Sequence, residues 1–255
     1  MGLNVMRATR YIFKFLIAIF CAGALPAFSI PQKLKIADVR PTMEEMLGFH
    51  VEYKEFTSVL AKRSFKLYIE QFDSEKMYLF QNEVKPYLEL NQGRVEKAIA
   101  RFHADDFSDY KGLNDIVRKA ITRSRQWRQE FERELILNSQ MPEVLSGESH
   151  LYYASGEDQL KQRVRKQLVR FLANERQNSD KAKWTPERRQ KIFALLEKRL
   201  ARLENPYILQ GEIGEHYLAL HILKAMAKSL DAHTSYFSPE EAFEMRASLE
   251  KQFEG

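Results

Sequence analysis

Between Gly214 and Leu230 the apolar residues Tyr217, Leu218, Leu220, Ile222, Leu223, Met226 and Leu230 fall on every side of a helix. A helix that is apolar all round has to be enclosed by other elements. The chain must therefore supply several partners, each with an apolar face to lay against it.

Those partners are helical. Leu160, Val164, Leu168, Phe171 and Leu172 recur at spacings of three and four, as an amphipathic helix requires. Ile116, Val117, Ala120, Ile121, Trp127, Phe131 and Leu135 mark one side of a long, charged, proline-free stretch from Leu113 to Leu137. Val84, Leu88, Val95, Ile99 and Phe102 indicate shorter helices punctuated by Pro86 and Gly93. Near the start, Met43, Met46, Leu47 and Val51 open a stripe that continues through Val59 and Leu60 towards Leu67 and Phe72. Thr42 is the expected N-cap of that stripe. Asp73 is expected to cap a further helix over Ser74 to Leu79.

Thr185-Pro186-Glu187 combines a capping hydroxyl, proline at the first helical position and an acid in the first turn. Pro142 to Gly156 and Asn174 to Lys183 read as polar breaks. No strand alternation of comparable length occurs, and no repeat of constant period suggests a solenoid. The expected fold is an all-α, irregular multi-helix domain.

The first 29 residues read as a secretory leader. Arg7, Arg10 and Lys14 precede an apolar run from Phe15 to Leu25, and Ala27-Phe28-Ser29 supplies small residues for cleavage. The run is shorter than the roughly 20 residues of a membrane span. Export to the periplasm is the expectation. The single cysteine, Cys21, lies in the leader, so the mature chain holds neither disulfide nor thiol chemistry. Cleavage also removes three basic residues, lowering the formal charge from +5 to +2.

Some chemistry is excluded by what the 255 residues lack. There is no G-x-G-x-x-G, no Walker-type lysine loop and no H-E-x-x-H. Asp231, His233 and Ser235 invite comparison with a serine-hydrolase triad. Two-apart neighbours on an extended segment stand roughly 6–7 Å apart, whereas a triad needs hydrogen-bonding contact between residues drawn from separate segments. No G-x-S-x-G elbow surrounds Ser235 either. The segment reads as a turn, and Ser238, Pro239 and Glu241 as a capping box that starts a last helix.

The histidines offer no metal site. His216 and His221 lie about 140° apart around a helix. Glu212 and His216 could face one ion, but two ligands make no site. His50, His103 and His150 are scattered. No catalytic, metal or cofactor-binding residues are therefore assigned.

From Lys161 to Glu204 fourteen basic residues face five acidic ones. Two readings stay open: solvated helix faces, or a basic surface for an acidic partner carried by Arg165, Lys166, Arg170, Arg188, Arg189 and Arg199. Nucleic acid is not expected as a partner of an exported protein.

The stretch Ser229-Leu-Asp-Ala-His-Thr-Ser-Tyr-Phe-Ser-Pro239 resembles the S-L-D-P-H-T-S-Y-x-S-P signature that precedes the PDZ domain in tail-specific proteases, the C-terminal processing peptidases. Phe72-Asp-Ser-Glu-Lys-Met-Tyr-Leu-Phe80 is similar to a second family segment, LD-x-x-K-x-y-F-l. Phe253-Glu254-Gly255 is similar to the lead into that PDZ domain. Ala232 departs from the family's usual proline.

The resemblance implies a leader at residues 1–29, an N-terminal helical domain at 30–237, and a connecting helix at 238–255 leading to an absent PDZ domain. It implies a parent serine endopeptidase that uses a Ser/Lys pair, with both residues beyond this chain, so no activity is expected from the chain alone. Implied partners are the parent's PDZ and protease domains, a second copy, and a protein adaptor or substrate. The rival reading is a stand-alone exported binding protein that uses the basic surface.

Overall fold

The computed structural model describes residues 33–137, 151–177 and 184–253. The expected leader with Cys21, most of the Pro142–Gly156 connection with His150, the second half of the 174–183 break, and Glu254-Gly255 lie outside the described residues.

Among the described residues nine α-helices form, preceded by a 3-10 turn at Ile36–Asp38. They are α1 (Val39–Phe49), α2 (Ser58–Asp73), α3 (Gln81–Leu88), α4 (Gln92–His103), α5 (Ser108–Leu137), α6 (Glu157–Gln177), α7 (Pro186–Ile208), α8 (Gly211–Leu230) and α9 (Pro239–Phe253). The β-pairing among them is one isolated parallel bridge between Phe80 and Ala154. The all-α expectation holds.

Helix α8 is the axis of the larger core. It packs most extensively on α2, and α1 and α7 lie against it as well. From Ala219 onward its buried residues include Leu220, Ile222, Leu223, Met226 and Leu230, as the all-round apolar pattern requires. Each such side chain taken out of water stabilises the fold by about 1.5–3 kcal/mol before entropy is subtracted. Facing it are Leu60, Phe65, Tyr68, Ile69 and Phe72 of α2 and Val39, Met43 and Leu47 of α1. Helices α3 and α4 cover the other side of α2.

Helix α5, 30 residues long, reaches about 45 Å at 1.5 Å per residue. Its first half places Tyr110, Leu113, Val117 and Ile121 in the larger core. Its second half packs with α6 and α7 as a separate three-helix arm. There Leu135 meets Leu168, Val169, Leu172, Ile192, Phe193 and Leu196, while Trp127 packs with Ala154, Leu160 and Val164. Thr185 caps α7 by accepting from the Arg188 amide at 3.3 Å, with Pro186 in the first turn, as expected.

The elbow between α7 and α8 depends on two glycines. Gly211 has φ +64°, and a β-carbon at Gly214 would lie 2.3 Å from the Leu209 carbonyl oxygen. Backbone approach that close admits no side chain.

Four local expectations are corrected. Helix α1 begins at Val39, so Thr42 lies inside it and caps nothing. The first stripe is two helices, and Val51, in the loop between them, is 95% exposed. Ser74 to Phe80 forms an irregular loop and not a helix, because Asp73 captures its amides from outside. Asn174 to Gln177 continue α6 and are no break.

Candidate interaction site

Two groups of residues concentrate polar contacts, and each coincides with one of the family-like segments. The first is the Ser74–Phe80 loop. The Asp73 carboxylate, buried at the end of α2, accepts from the amides of Met77 (2.6 Å), Tyr78 (3.1 Å) and Leu79 (2.9 Å). Burial raises the Asp73 pKa, although these three amides oppose that by favouring the charged form. Arg163 of α6 donates to the Lys76 carbonyl at 2.8 Å, and Arg123 of α5 donates to that of Tyr78 at 2.7 Å. Arg123 also forks onto Glu83 and lies 3.9 Å from the centre of the Phe80 ring. The loop thus ties α2 to α5 and α6.

Beneath it sits a buried ionic cluster. The Tyr78 hydroxyl donates to Glu204 of α7 at 2.9 Å, and Glu204 also binds Arg128 (2.9 Å) and Arg125 (2.6 Å). Glu204 is 0% exposed and Arg128 is 2% exposed. Arg128 further donates to Glu197 and Ser124. Burial works against the Arg128 charge, but Glu197 and Glu204 outweigh it and its pKa rises. Burial, followed by the Glu204 charge, pushes the Tyr78 phenol far upward. Glu204, Arg128 and Tyr78 are buried and paired, with the half-exposed Arg125 and Glu197 at the edge, so the cluster serves to join helices.

The second group is the junction after α8. Asp231 accepts from the amides of His233 and Thr234, both at 2.7 Å, and from the Thr234 hydroxyl at 2.8 Å. Its second oxygen meets Nε2 of His50 at 2.9 Å, across from the end of α1. The Thr234 hydroxyl first, then His50 and the two amides, hold its pKa well below the usual carboxylate range. His233 and Ser235 are exposed and neither meets the other through a hydrogen bond. The triad-like spelling is therefore a turn. The imidazole paired with Asp231 is His50, which lies 181 positions away and which no local spacing could point to.

That turn delivers α9. Ser238 donates its amide to Glu241 at 2.9 Å, and the Glu241 amide donates to Ser238 Oγ at 3.2 Å, completing the expected capping box. Glu241 also meets Lys224 of α8 at 2.5 Å. Beyond this tie α9 leaves Phe243 68%, Met245 50% and Leu249 44% exposed.

The six residues expected on a basic surface separate. Arg189 is only 4% exposed and donates to the Ile136 carbonyl at the end of α5. It is corrected to an interior contact, because its long stem fills the arm while its head caps a carbonyl. Arg165 pairs with Glu134 at 2.7 Å. Arg199 lies 5.3 Å from the Phe171 ring centre, against its face. Lys166 and Arg170 are half-buried, and Arg188 is exposed.

Glu212 and His216, set aside as a metal pair, have a structural use. Lys33 meets Glu212 at 3.1 Å, the Leu34 amide donates to His216 Nδ1 at 2.9 Å, and the Ile36 amide donates to Glu215 at 3.1 Å. They hold the segment before α1 onto the start of α8. His221 is half-buried, with its Nδ1 enclosed, and stacks on Tyr207 at 4.0 Å; desolvation lowers its pKa to about 3. Among the described residues no group of three or more His, Cys, Asp or Glu is placed to hold a metal ion. No described helix is long and apolar enough to cross a membrane.

A family model described as the tail specific protease N-terminal domain matches residues 42–240, more than three quarters of the chain. No curated protein matches the sequence.

Proposed function

This chain belongs to the tail-specific protease N-terminal domain family, and from that premise we propose that it is the non-catalytic scaffold of an exported serine endopeptidase. In this reading the helical domain carries the parent's PDZ and protease domains and sets how they stand. The single observation behind it is the geometry of the junction. A pinned turn and a capping box launch α9 in a defined direction, and α9 then keeps Phe243, Met245 and Leu249 in water. Apolar side chains kept exposed on an ordered helix suit a surface that a neighbouring domain covers.

Proteolysis near substrate C-termini belongs to the parent enzyme, and residues 1–29 serve as its export leader to the periplasm. Self-association and adaptor docking are further uses open to such a scaffold.

Two measurements test the reading. The purified chain is expected to resist serine-directed covalent labelling and to leave an unfolded protein uncut; labelling together with turnover would overturn it. The PDZ–protease portion of a tail-specific protease is expected to bind the immobilised chain, and Phe243→Asp with Met245→Asp to abolish that binding. Equal capture by wild type and double variant would remove α9 as the docking helix.

A further inference from the structure

A cavity of about 420 Å3 opens between α2, α8 and the Ser74–Phe80 loop, with Tyr153 closing one wall. This is within the range of pockets that hold small ligands or a few residues of a peptide. The apolar part of its lining forms a floor: Ala225 is buried, Leu67 and Tyr153 are half-buried, and Leu88 stands exposed at its side. Around that floor stand Lys66, Lys76, Lys224 and Lys228, and the one acidic lining residue is Glu70. None of this belongs to the arginine-rich arm.

The lysines are unequally occupied. Lys224 already holds a carboxylate, that of Glu241, at 2.5 Å. Lys66 has only a long 3.7 Å contact with Glu70 of its own helix. Lys76, fixed by a left-handed backbone (φ 56°), lies 5.8 Å from the centre of the Tyr153 ring. Lys228 makes no ion pair among the described residues. Lining charge is therefore in excess by three, over an apolar floor.

Two features decide which anion fits. The cavity is flanked by the C-terminal ends of α2 and α8, through Gln71 and Ser74 on one side and Lys228 on the other. Helix C-termini carry partial negative charge, which disfavours a compact dianion such as phosphate. The lining also contains no arginine fork and no helix N-terminus, the usual phosphate cradles. Separate single carboxylates spread around an apolar group match both the dispersed ammonium groups and the floor. The example already in place, Glu241 on Lys224, is a carboxylate from a polypeptide segment.

We propose that this cavity binds a peptide segment in which carboxylates flank an apolar side chain. The apolar group rests on Leu67, Tyr153 and Ala225. The carboxylates engage Lys66, Lys76 and Lys228, and Lys224 remains with Glu241. The site is independent of the docking role of α9 and is tested with this chain alone.

The probe is a fluorescein-labelled peptide in which glutamates alternate with leucine and phenylalanine, followed by anisotropy on the purified chain. Saturable, salt-weakened binding is expected. Lys66→Glu with Lys228→Glu is expected to weaken it by about tenfold or more, with circular dichroism unchanged, while Lys66→Arg with Lys228→Arg retains it. Lys62→Glu with Lys191→Glu changes the net charge equally on exposed positions outside the cavity and is expected to leave binding intact. Absence of binding by the peptide overturns the proposal. So does equal loss in the Lys62/Lys191 variant, equal binding of the glutamine version of the peptide, or full competition by inorganic phosphate or anionic lipid vesicles.

Discussion

The larger core and the three-helix arm bury their interiors by different means. Around α8 the core is closed by aliphatic side chains and paired rings: Phe56 stacked on Phe102, Phe65 stacked on Tyr110, Phe72 tilted against Tyr78. In the arm the apolar layer is thinner, and arginines enter it. Arg128, Arg163 and Arg189 are all buried, and each ends on a carboxylate or a backbone carbonyl. The contrast explains where the arm's basic bias goes. Part of it is interior fastening that joins α5 to α7 and α6 to the Ser74–Phe80 loop, and the surface retains less of it than a count of charges suggests.

If the arm is fastened by buried ions, the most damaging single change should be at Glu204. Glu204→Ala leaves Arg128 and the Tyr78 hydroxyl buried without their shared acceptor, and should cost about 3–5 kcal/mol by urea denaturation. Combining Glu204→Leu with Arg128→Met should recover much of that loss, since an apolar replacement removes both charges together. A cost below about 1 kcal/mol for Glu204→Ala would erase the distinction between the two regions.

The core has its own weak point in His221, stacked under Tyr207 with no hydrogen-bond partner for Nδ1. Its folded pKa, about 3, lies below the ordinary histidine value of about 6.5. Between those values the unfolded chain binds the extra proton. Stability should therefore fall as pH drops through that window, with a slope approaching about 1.4 kcal/mol per pH unit. His221→Phe keeps the ring and removes the titration. The difference between wild type and variant in denaturation at pH 7 and pH 4 isolates the effect, and parallel curves would refute it.

Smaller effects belong to the periphery of both regions. Ser238→Ala removes one side of the capping box and should destabilise α9 by about 1 kcal/mol, seen as faster amide exchange after Pro239 with the cores unaffected. Arg165→Glu breaks an exposed pair with Glu134 and should change stability by no more than about 0.5 kcal/mol. A larger loss would mean that the arm relies on its surface charges after all.

Much of the fold is legible in the residues, for a local reason. The Thr185-Pro186 start, the Ser238–Glu241 capping box and the Leu160–Leu172 stripe involve neighbours within four positions, so spacing alone reports them. Asp73 shows the boundary of that legibility. Its carboxylate does bind the amides that follow, but it sits inside the end of α2 and gathers three of them into a loop, where a helix was expected. Arg189 shows the other limit, since a charged residue in a basic run is read as exposed until a second helix covers it.

The sequence by itself determined the all-helical class, the enclosed character of α8 and the turn that precedes α9, because periodicity and capping are properties of one short stretch. Only the tertiary structure decided that His50 meets Asp231, that Glu204 gathers Tyr78, Arg125 and Arg128, and that four lysines surround one apolar hollow. Those partners lie far apart along the chain. Which distant charges meet depends on where packed helices bring them, and packing is settled by the apolar faces, which carry no record of the charges they will align.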